Sequence, residues 1–317
     1  MQNTAPAHTT VLLIEAVAAL FEVPAEIKTQ RARIFVDATF GRGGHSALIL
    51  QRMGPNDRLI GIDRDPSAVA AGMAWTDARF TMVHSAFSDL QAVLAALGLA
   101  QVDGILMDLG VSSPQLDEAA RGFSFRFDAP LDMRMDTSPT SPSMTAADWI
   151  NSAPEAELRR VIHEYGEERA ATRIAANITA QRAVQPIRTT GQLAKLVEGA
   201  VRGRQPGHHP ATRTFQAIRI HVNQELAQLE AALTQSQSAL APMGRLSVIS
   251  FHSLEDRCVK QTLRPAPVTA ALRHLPRNEA VHPWRELQRI KPSEAECKAN
   301  PRARSAVLRV AEKVVAA

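Results

Sequence analysis

Between Ile34 and Leu109 four short apolar runs alternate with amphipathic stretches, and this alternation restricts the chain more than any other feature. Ile34–Phe40, Arg58–Asp63, Phe80–Ser85 and Val102–Leu109 have the length and apolar content of strands. Gly44–Met53, Pro66–Trp75 and Ser88–Leu97, lying between them, have helical spacing. Strands joined by helices pair in parallel with both sheet faces covered, so the pattern predicts an α/β domain on a parallel sheet. Pro66 suits a first helical turn, where its missing N–H has no partner to lose, and Ser88 is placed to cap the helix it opens.

After Leu109 the strand pattern stops. A Pro-, Ser- and Asp-rich stretch over Gly110–Ser143 leads into helices at Thr145–Asn151, Pro154–Tyr165, Glu167–Arg182 and Thr190–Val201, then a long one over Thr212–Gln235. In the last, Val222, Leu226, Leu229 and Leu233 form a single apolar stripe. Strands resume at Arg245–Phe251 and Ala306–Val310. The economical reading is an α/β domain made of residues 1–115 and 236–317, interrupted by an all-helical insert over 116–235. A chain of 317 residues is long for one core and comfortable for two units.

The segment Asp37-Ala-Thr-Phe-Gly41-Arg-Gly43-Gly44-His45 runs from the first strand into the first helix. Glycines there allow a sharp turn and a close approach of ligand to backbone. Asp63 closes the second strand nineteen residues beyond Gly44, where a carboxylate can accept both ribose hydroxyls of an adenosine-containing ligand. Two ligand classes fit this pair of features, a nicotinamide dinucleotide and S-adenosylmethionine. Ser46 stands where the dinucleotide fingerprint wants its third glycine, which weakens the pyrophosphate reading. Phe87, just past the third strand, is placed to cover an adenine face or to pack in the core. Asp108 ends the fourth strand, at the sheet edge where parallel α/β proteins deliver reactive groups.

Charge is uneven. Residues 1–186 hold 16 Lys/Arg against 22 Asp/Glu and residues 187–317 hold 20 against 10, so a net +4 conceals parts of −6 and +10. Such asymmetry suits a polyanion-binding face next to a small-molecule site, and equally a solvated Arg-rich surface. Arg204, Arg213 and Arg219 are candidate phosphate partners. Aromatic residues make up 4%, too few for extensive base stacking. The opening MQNTAPAHTT lacks the regions of a secretory signal and no apolar run is long enough to span a bilayer, so a cytoplasmic protein away from membranes is expected. Cys258 and Cys297 are expected to be reduced, and no Cys/His cluster has zinc spacing, so no metal is expected.

Nine blocks together resemble the MraW/RsmH-type small-subunit (16S) ribosomal RNA cytosine-N4 methyltransferases. They are HTTVLLIEAV from His8, DATFGRGGHS from Asp37, GIDRDP from Gly61, DGILMDLGVSSPQLD from Asp103, RGFSFRFDAPLDMRMD from Arg121, YGEERAATRIA from Tyr165, HPATRTFQAIRIHVNQEL from His209, GRLSVISFHSLEDR from Gly244 and NPRARSAVLRVAEK from Asn300. Only residues 263–299 lack an obvious counterpart, and a variable surface loop is expected there. The resemblance implies a class I methyltransferase (Rossmann-like) fold with an inserted helical domain that helps to recognise RNA. It also implies S-adenosyl-L-methionine as cofactor, contacted by Gly43, Gly44, His45, Asp63, Phe87, Asp108 and Gln115, the last on resemblance alone. The implied substrate is a cytidine amine in the decoding region of 16S ribosomal RNA, presented as RNA or as the assembled small subunit; a homodimer is compatible with it. Family members often have Gly at the turn occupied by Ala129, and Ala suits that turn if no positive φ is needed.

The catalytic candidates are Asp108, Ser112 and Ser113 beyond the fourth strand, and His252 after a late strand. Ser253 and Asp256 beside it read equally well as site residues or as a capping box. Three rivals stand at this level: a dehydrogenase on the same sheet, a non-catalytic RNA-binding assembly factor that keeps the fold, and a DNA methyltransferase.

Overall fold

The computed structural model describes residues 10–22, 31–201, 209–264 and 282–314. These residues form two compact units, one made of the chain up to Gly110 and from Leu226 onward, the other of Val111–Glu225. The first unit opens with helix α1 (Leu13–Phe21), which its sequence pattern did not single out. There follow β1 (Ile34–Asp37), α2 (Gly44–Arg52), β2 (Arg58–Asp63), α3 (Pro66–Met73), β3 (Phe80–His84), α4 (Leu90–Ala96) and β4 (Val102–Asp108). Asp65 caps α3, its side chain accepting the Ser67 N–H, with Pro66 in the first turn. Ser88 does not cap α4. It lies inside a 3₁₀ turn over Phe87–Asp89, and the opening of α4 is held instead by Gln235, whose side chain accepts the Gln91 N–H and donates to the Ser88 carbonyl.

The second unit contains α5 (Ser113–Asp117), α6 (Ala146–Ser152), α7 (Glu155–Gly166), α8 (Ala171–Val184), α9 (Thr190–Ala200) and α10 (Thr212–Val222). Its core gathers Trp149, Ile162, Ile174, Leu193, Phe215 and Ile218 with Leu131 and Met133 of the loop. Ala129 is buried without a positive φ, so the side chain costs nothing at that turn.

The long helix expected over Thr212–Gln235 is two helices. α10 stops at Val222, and α11 (Glu225–Ala239) starts after Gln224, whose φ is 51°. Asn223 breaks the run. Fully buried, it accepts the Met135 N–H at 2.8 Å and donates to the carbonyls of Met133 at 2.7 Å and Arg219 at 2.9 Å. These loop contacts outweigh continuation of the helix, and the apolar stripe is shared out: Val222 belongs to the core of the second unit, Leu229 and Leu233 to that of the first.

The first unit resumes with α11, β5 (Leu240–Ser250), α12 (Ser253–Leu263), β6 (Trp284–Ile290), α13 (Glu294–Ala299) and β7 (Val307–Lys313). The seven strands are ordered β3-β2-β1-β4-β5-β7-β6. The first five are mutually parallel and β7 runs against both of its neighbours. The order reverses between β1 and β4, the place where an open parallel sheet leaves a ligand crevice. Residues 263–299 are not the uniform surface loop expected, because β6 and α13 lie within them and Trp284 is buried in the sheet core. β6 is an edge strand with a register irregularity between Glu286 and Gln288. Cys258 and Cys297 are unbonded, and no helix among the described residues is long and apolar enough to cross a membrane.

Asn223→Ala leaves a buried N–H and buried carbonyls without their partner at the junction of α10 and the loop. It is expected to destabilise the second unit by on the order of 2–4 kcal/mol, seen as a lowered denaturant midpoint at unchanged secondary-structure content.

Candidate active site

Three neighbouring strands end on an aspartate: β2 on Asp63, β1 on Asp37 and β4 on Asp108. Asp37 pairs in register with Gly61 and Leu106, so Asp63 and Asp108 each project two residues beyond it and, by the alternation of a strand, onto the same face. Among the described residues, no Lys or Arg pairs with any of the three.

Backbone and hydroxyl donors hold the cluster instead. Asp37 is buried, accepts the Ser46 hydroxyl at 2.7 Å and the Thr39 N–H at 3.2 Å, and thereby ties β1 to the first turn of α2. Ser46, which departs from the dinucleotide fingerprint, therefore has a positive role that glycine cannot fill. Asp63 accepts the Gly41 N–H at 2.7 Å on one oxygen and the Asp65 N–H at 2.9 Å on the other. It fixes the glycine loop while each oxygen keeps lone-pair capacity for a ligand hydroxyl. The Asp108 N–H donates to Thr39 Oγ1 at 2.6 Å. Its Oδ2 lies 3.7 Å from Nδ1 of buried His45, and its Oδ1 is buried without a hydrogen-bond partner. The side chain as a whole keeps 25% of its surface open, as a group lining a binding surface does.

Burial and proximity push these carboxyls toward their neutral forms. Removal from water raises Asp37 to about 6, against the hydrogen bonds from Ser46 and Thr39 and helped by the charge of Asp63. Burial likewise raises Asp63, partly offset by the Asp65 and Gly41 N–H groups. Asp108 is raised well above the usual carboxylate range by burial, then by the charges of Asp37 and Glu255. Such an arrangement favours a cation: bringing positive charge to the strand ends restores the ionised forms and relieves their repulsion.

The glycines are shaped by packing as much as by approach. Gly43 has φ +77°, and a Cβ there meets the Trp75 and Phe40 rings at 2.4 and 2.8 Å; one on Gly44 meets Thr10 Oγ1 at 2.0 Å. Gly41, at φ +55°, has nothing closer than 3.9 Å, so the space beside it is open. Phe87 lies half-buried in the turn leaving β3, against the sheet core.

Four sequence candidates change role. His252, not Ser253, is the N-cap of α12, and its capping partner is Glu255 rather than Asp256. His252 Nδ1 accepts the Glu255 N–H at 3.3 Å while Nε2 lies 3.1 Å from Glu255 Oε1. Asp256 is drawn away to Arg309, which reaches it at 2.7 and 3.1 Å. Glu255, which the sequence did not mark, is buried and accepts the Phe251 N–H at 2.7 Å. In the second unit Arg219 is held by both oxygens of Glu225 at 2.8 Å. Arg213 is exposed at the start of α10, with one hydrogen bond to the Glu167 carbonyl, and Arg204 lies outside the described residues. Ser112, Ser113 and Gln115 also belong to the second unit, where the Ser112 N–H donates to Gln115 Oε1 at 3.0 Å across the start of α5.

A parallel sheet reversed between β1 and β4, closed by an antiparallel β7, and carrying a glycine loop and acidic strand ends defines a class I methyltransferase. The chain belongs to the MraW methylase family, whose model matches residues 5–314. It is 54% identical over 313 residues to the ribosomal RNA small subunit methyltransferase H of Dechloromonas aromatica, covering 97% of this chain and 98% of that protein. To the protein of the same name from Thiobacillus denitrificans it is 55% identical over 322 residues, covering 98% and 99%. Among solved structures, an rRNA methylase from Streptococcus thermophilus aligns over 99% of this chain and 100% of that one at 9% identity and a TM-score of 0.40, a likeness that adds no weight.

The pH dependence of stability checks the cluster. Asp37 holds its proton up to about pH 6 when folded, against 3.8 for an unperturbed side chain, so the folded chain binds more protons across that window and its stability falls as pH rises through it. Asp37→Asn is expected to stabilise the ligand-free protein above this window by on the order of 2–3 kcal/mol. Thermal unfolding at pH 8 and below pH 4 reads this out: the gain is present at the first and lost at the second.

Proposed function

We propose that this methyltransferase transfers a methyl group from S-adenosyl-L-methionine to the exocyclic N4 amine of a cytidine in the decoding region of 16S ribosomal RNA, on the RNA or the assembled small subunit. One observation carries the reading: acidic strand ends with no Lys or Arg partner among the described residues, one of them with an unpartnered oxygen, beside a glycine loop. A sulfonium-bearing nucleoside has the positive charge and the ribose hydroxyls such a site accepts. The choice of ribosomal RNA rests on relatives whose name states it, at 54–55% identity over nearly the full chain; N4 and the decoding region rest on the sequence resemblance.

When bound, the donor supplies an electrophilic methyl group on sulfur. Gly43, Gly44 and His45 form the turn that holds it, Asp63 accepts ribose hydroxyls on the lone pairs its two backbone N–H bonds leave, and Phe87 offers a ring face to adenine. Gln115 joins this set on resemblance alone. The cytosine amine is a weak nucleophile because its lone pair is delocalised into the ring. Asp108, ionised by the positive charge brought near it, accepts an amine N–H, turns the lone pair outward, stabilises the charge that develops on nitrogen as the methyl group leaves sulfur, and takes the proton that nitrogen then sheds. Ser112 and Ser113 follow it within five residues and are candidates to fix the base. His252 supports α12 through Glu255 and acts by position. The second unit takes the RNA, with Arg213 and the Arg204 segment on phosphates and the target base turned out of its stack.

Because a cationic donor favours ionised carboxylates, its binding releases protons and tightens as pH rises through about 6 and beyond. The neutral product S-adenosylhomocysteine is expected to show little of this dependence, and Asp108→Asn to narrow the difference while lowering kcat at least about 100-fold. Calorimetry in buffers of different ionisation enthalpy measures the proton release. Equal release for donor and product sinks the charge argument. Mass spectrometry of 16S ribosomal RNA from cells lacking the protein is expected to show one cytidine without a methyl group on its amine. RNA affinity is expected to fall steeply with added salt.

A further inference from the structure

The second unit presents one aromatic ring to solvent on a fixed backbone. Phe127 is 66% exposed, in a chain with only 14 aromatic residues of 317. A large apolar side chain left this open forgoes about 2 kcal/mol of burial. The backbone around it is tied down by hydrogen bonds. Thr190 Oγ1 donates to the Phe127 carbonyl at 2.9 Å and accepts the Ala129 N–H at 3.1 Å, and the Thr190 N–H returns to the Ala129 carbonyl at 2.9 Å. Asp128 accepts the Gly191 N–H at 2.9 Å, and the Leu131 N–H donates to the Arg188 carbonyl at 3.0 Å. Phe127 thus sits at the tip of a clamp between the 126–131 loop and the start of α9, and its ring is displayed without a loop free to fold it inward.

Three cations belong to this clamp or adjoin it in sequence. Arg126 precedes the ring, Arg188 precedes Thr189, which bridges to Pro130, and Lys195 follows in α9; all three are exposed. Among the described residues, neither Arg126 nor Arg188 has an acidic partner. Asp128, next to the ring, is held below the usual carboxylate range by its hydrogen bonds from the Thr189 side chain and the Gly191 N–H, against some desolvation, with a smaller contribution from the charge of Lys195. A flat apolar ring rigidly displayed among unpaired guanidinium groups matches a polymer of flat bases joined by phosphates better than it matches an apolar protein surface, which is poorer in negative charge.

We propose that Phe127 is a stacking platform for an unpaired nucleobase of the RNA substrate, with Arg126 and Arg188 on the flanking phosphates. The site rests on the reading of this chain as an RNA methyltransferase and adds a contact to a base other than the one methylated. Stacking on an aromatic face needs a π-surface, whereas a protein contact needs only apolar area, and this separates the two.

The test measures binding of the full-length chain to a single-stranded RNA of about 12 nucleotides, to a duplex of the same length, and to small ribosomal subunits. Phe127→Leu and Phe127→Ala are expected to weaken single-strand and subunit binding about 5- to 150-fold, and Phe127→Trp to match or exceed the unaltered protein. Duplex binding, S-adenosylhomocysteine affinity and thermal midpoint stay unchanged. Arg126→Ala and Arg188→Ala are each expected to lower the salt dependence of RNA affinity by about one counterion. Full RNA affinity in Phe127→Leu, or equal losses on duplex and single strand, overturns the stacking assignment and leaves the methyltransferase reading intact. Failure of the unaltered protein to bind any of the three RNAs overturns both.

Discussion

Three carboxyl groups crowded at the ends of adjacent parallel strands, with backbone N–H groups and one hydroxyl as their donors, are the constraint on which the first unit turns. Asp37 fastens β1 to α2 through Ser46, Asp63 fastens the glycine loop to β2 through the Gly41 N–H, and Thr39 fastens the end of β4 through the Asp108 N–H. The first and the last of these are joined, since Thr39 also gives its own N–H to Asp37. An arrangement that concentrates negative charge out of water costs stability in the empty protein and yields complementarity to a cation, the exchange commonly found where function and folding compete.

Much of the sheet was legible because its signals are local. β1 to β4 and the helices between them have apolar runs with flanking Gly, Pro or Asp, and these override little tertiary context. β6 was not legible. Between Trp284 and Ile290 it carries Arg285, Glu286, Gln288 and Arg289, the composition of an edge that only one neighbour covers. The continuous stripe from Val222 to Leu233 gave a single helix because periodicity does not reveal that its two halves enter different cores, nor that Asn223 answers to backbone groups 88 and 90 residues away.

The geometry of the site was legible where a residue's place in its own strand fixes its position, as for Asp63 and Asp108 at the ends of β2 and β4. It was less so where neighbours in space decide. Asp37 entered the sequence reading only as the start of a motif, since its partner Ser46 is a contact made by folding α2 back on β1. His252 read as a reactive imidazole, and the capping register was one residue out, because Ser253 and Asp256 satisfy the capping pattern as well as His252 and Glu255 do. Arg309, far along the chain, takes Asp256 and so decides the matter. The pairing of Arg219 was hidden for the same reason: Glu225, six residues on, reaches it across the break between α10 and α11.

The irregular β6 also bears on how molecules of this protein meet one another. A regular, apolar border strand invites a second copy to zip on by main-chain pairing, the usual route to runaway oligomers. The slipped register at Glu286 and Gln288, together with guanidinium groups on Arg285 and Arg289, makes that border a poor template. Among the described residues the sheet ends on this side, and self-association by strand addition there is disfavoured.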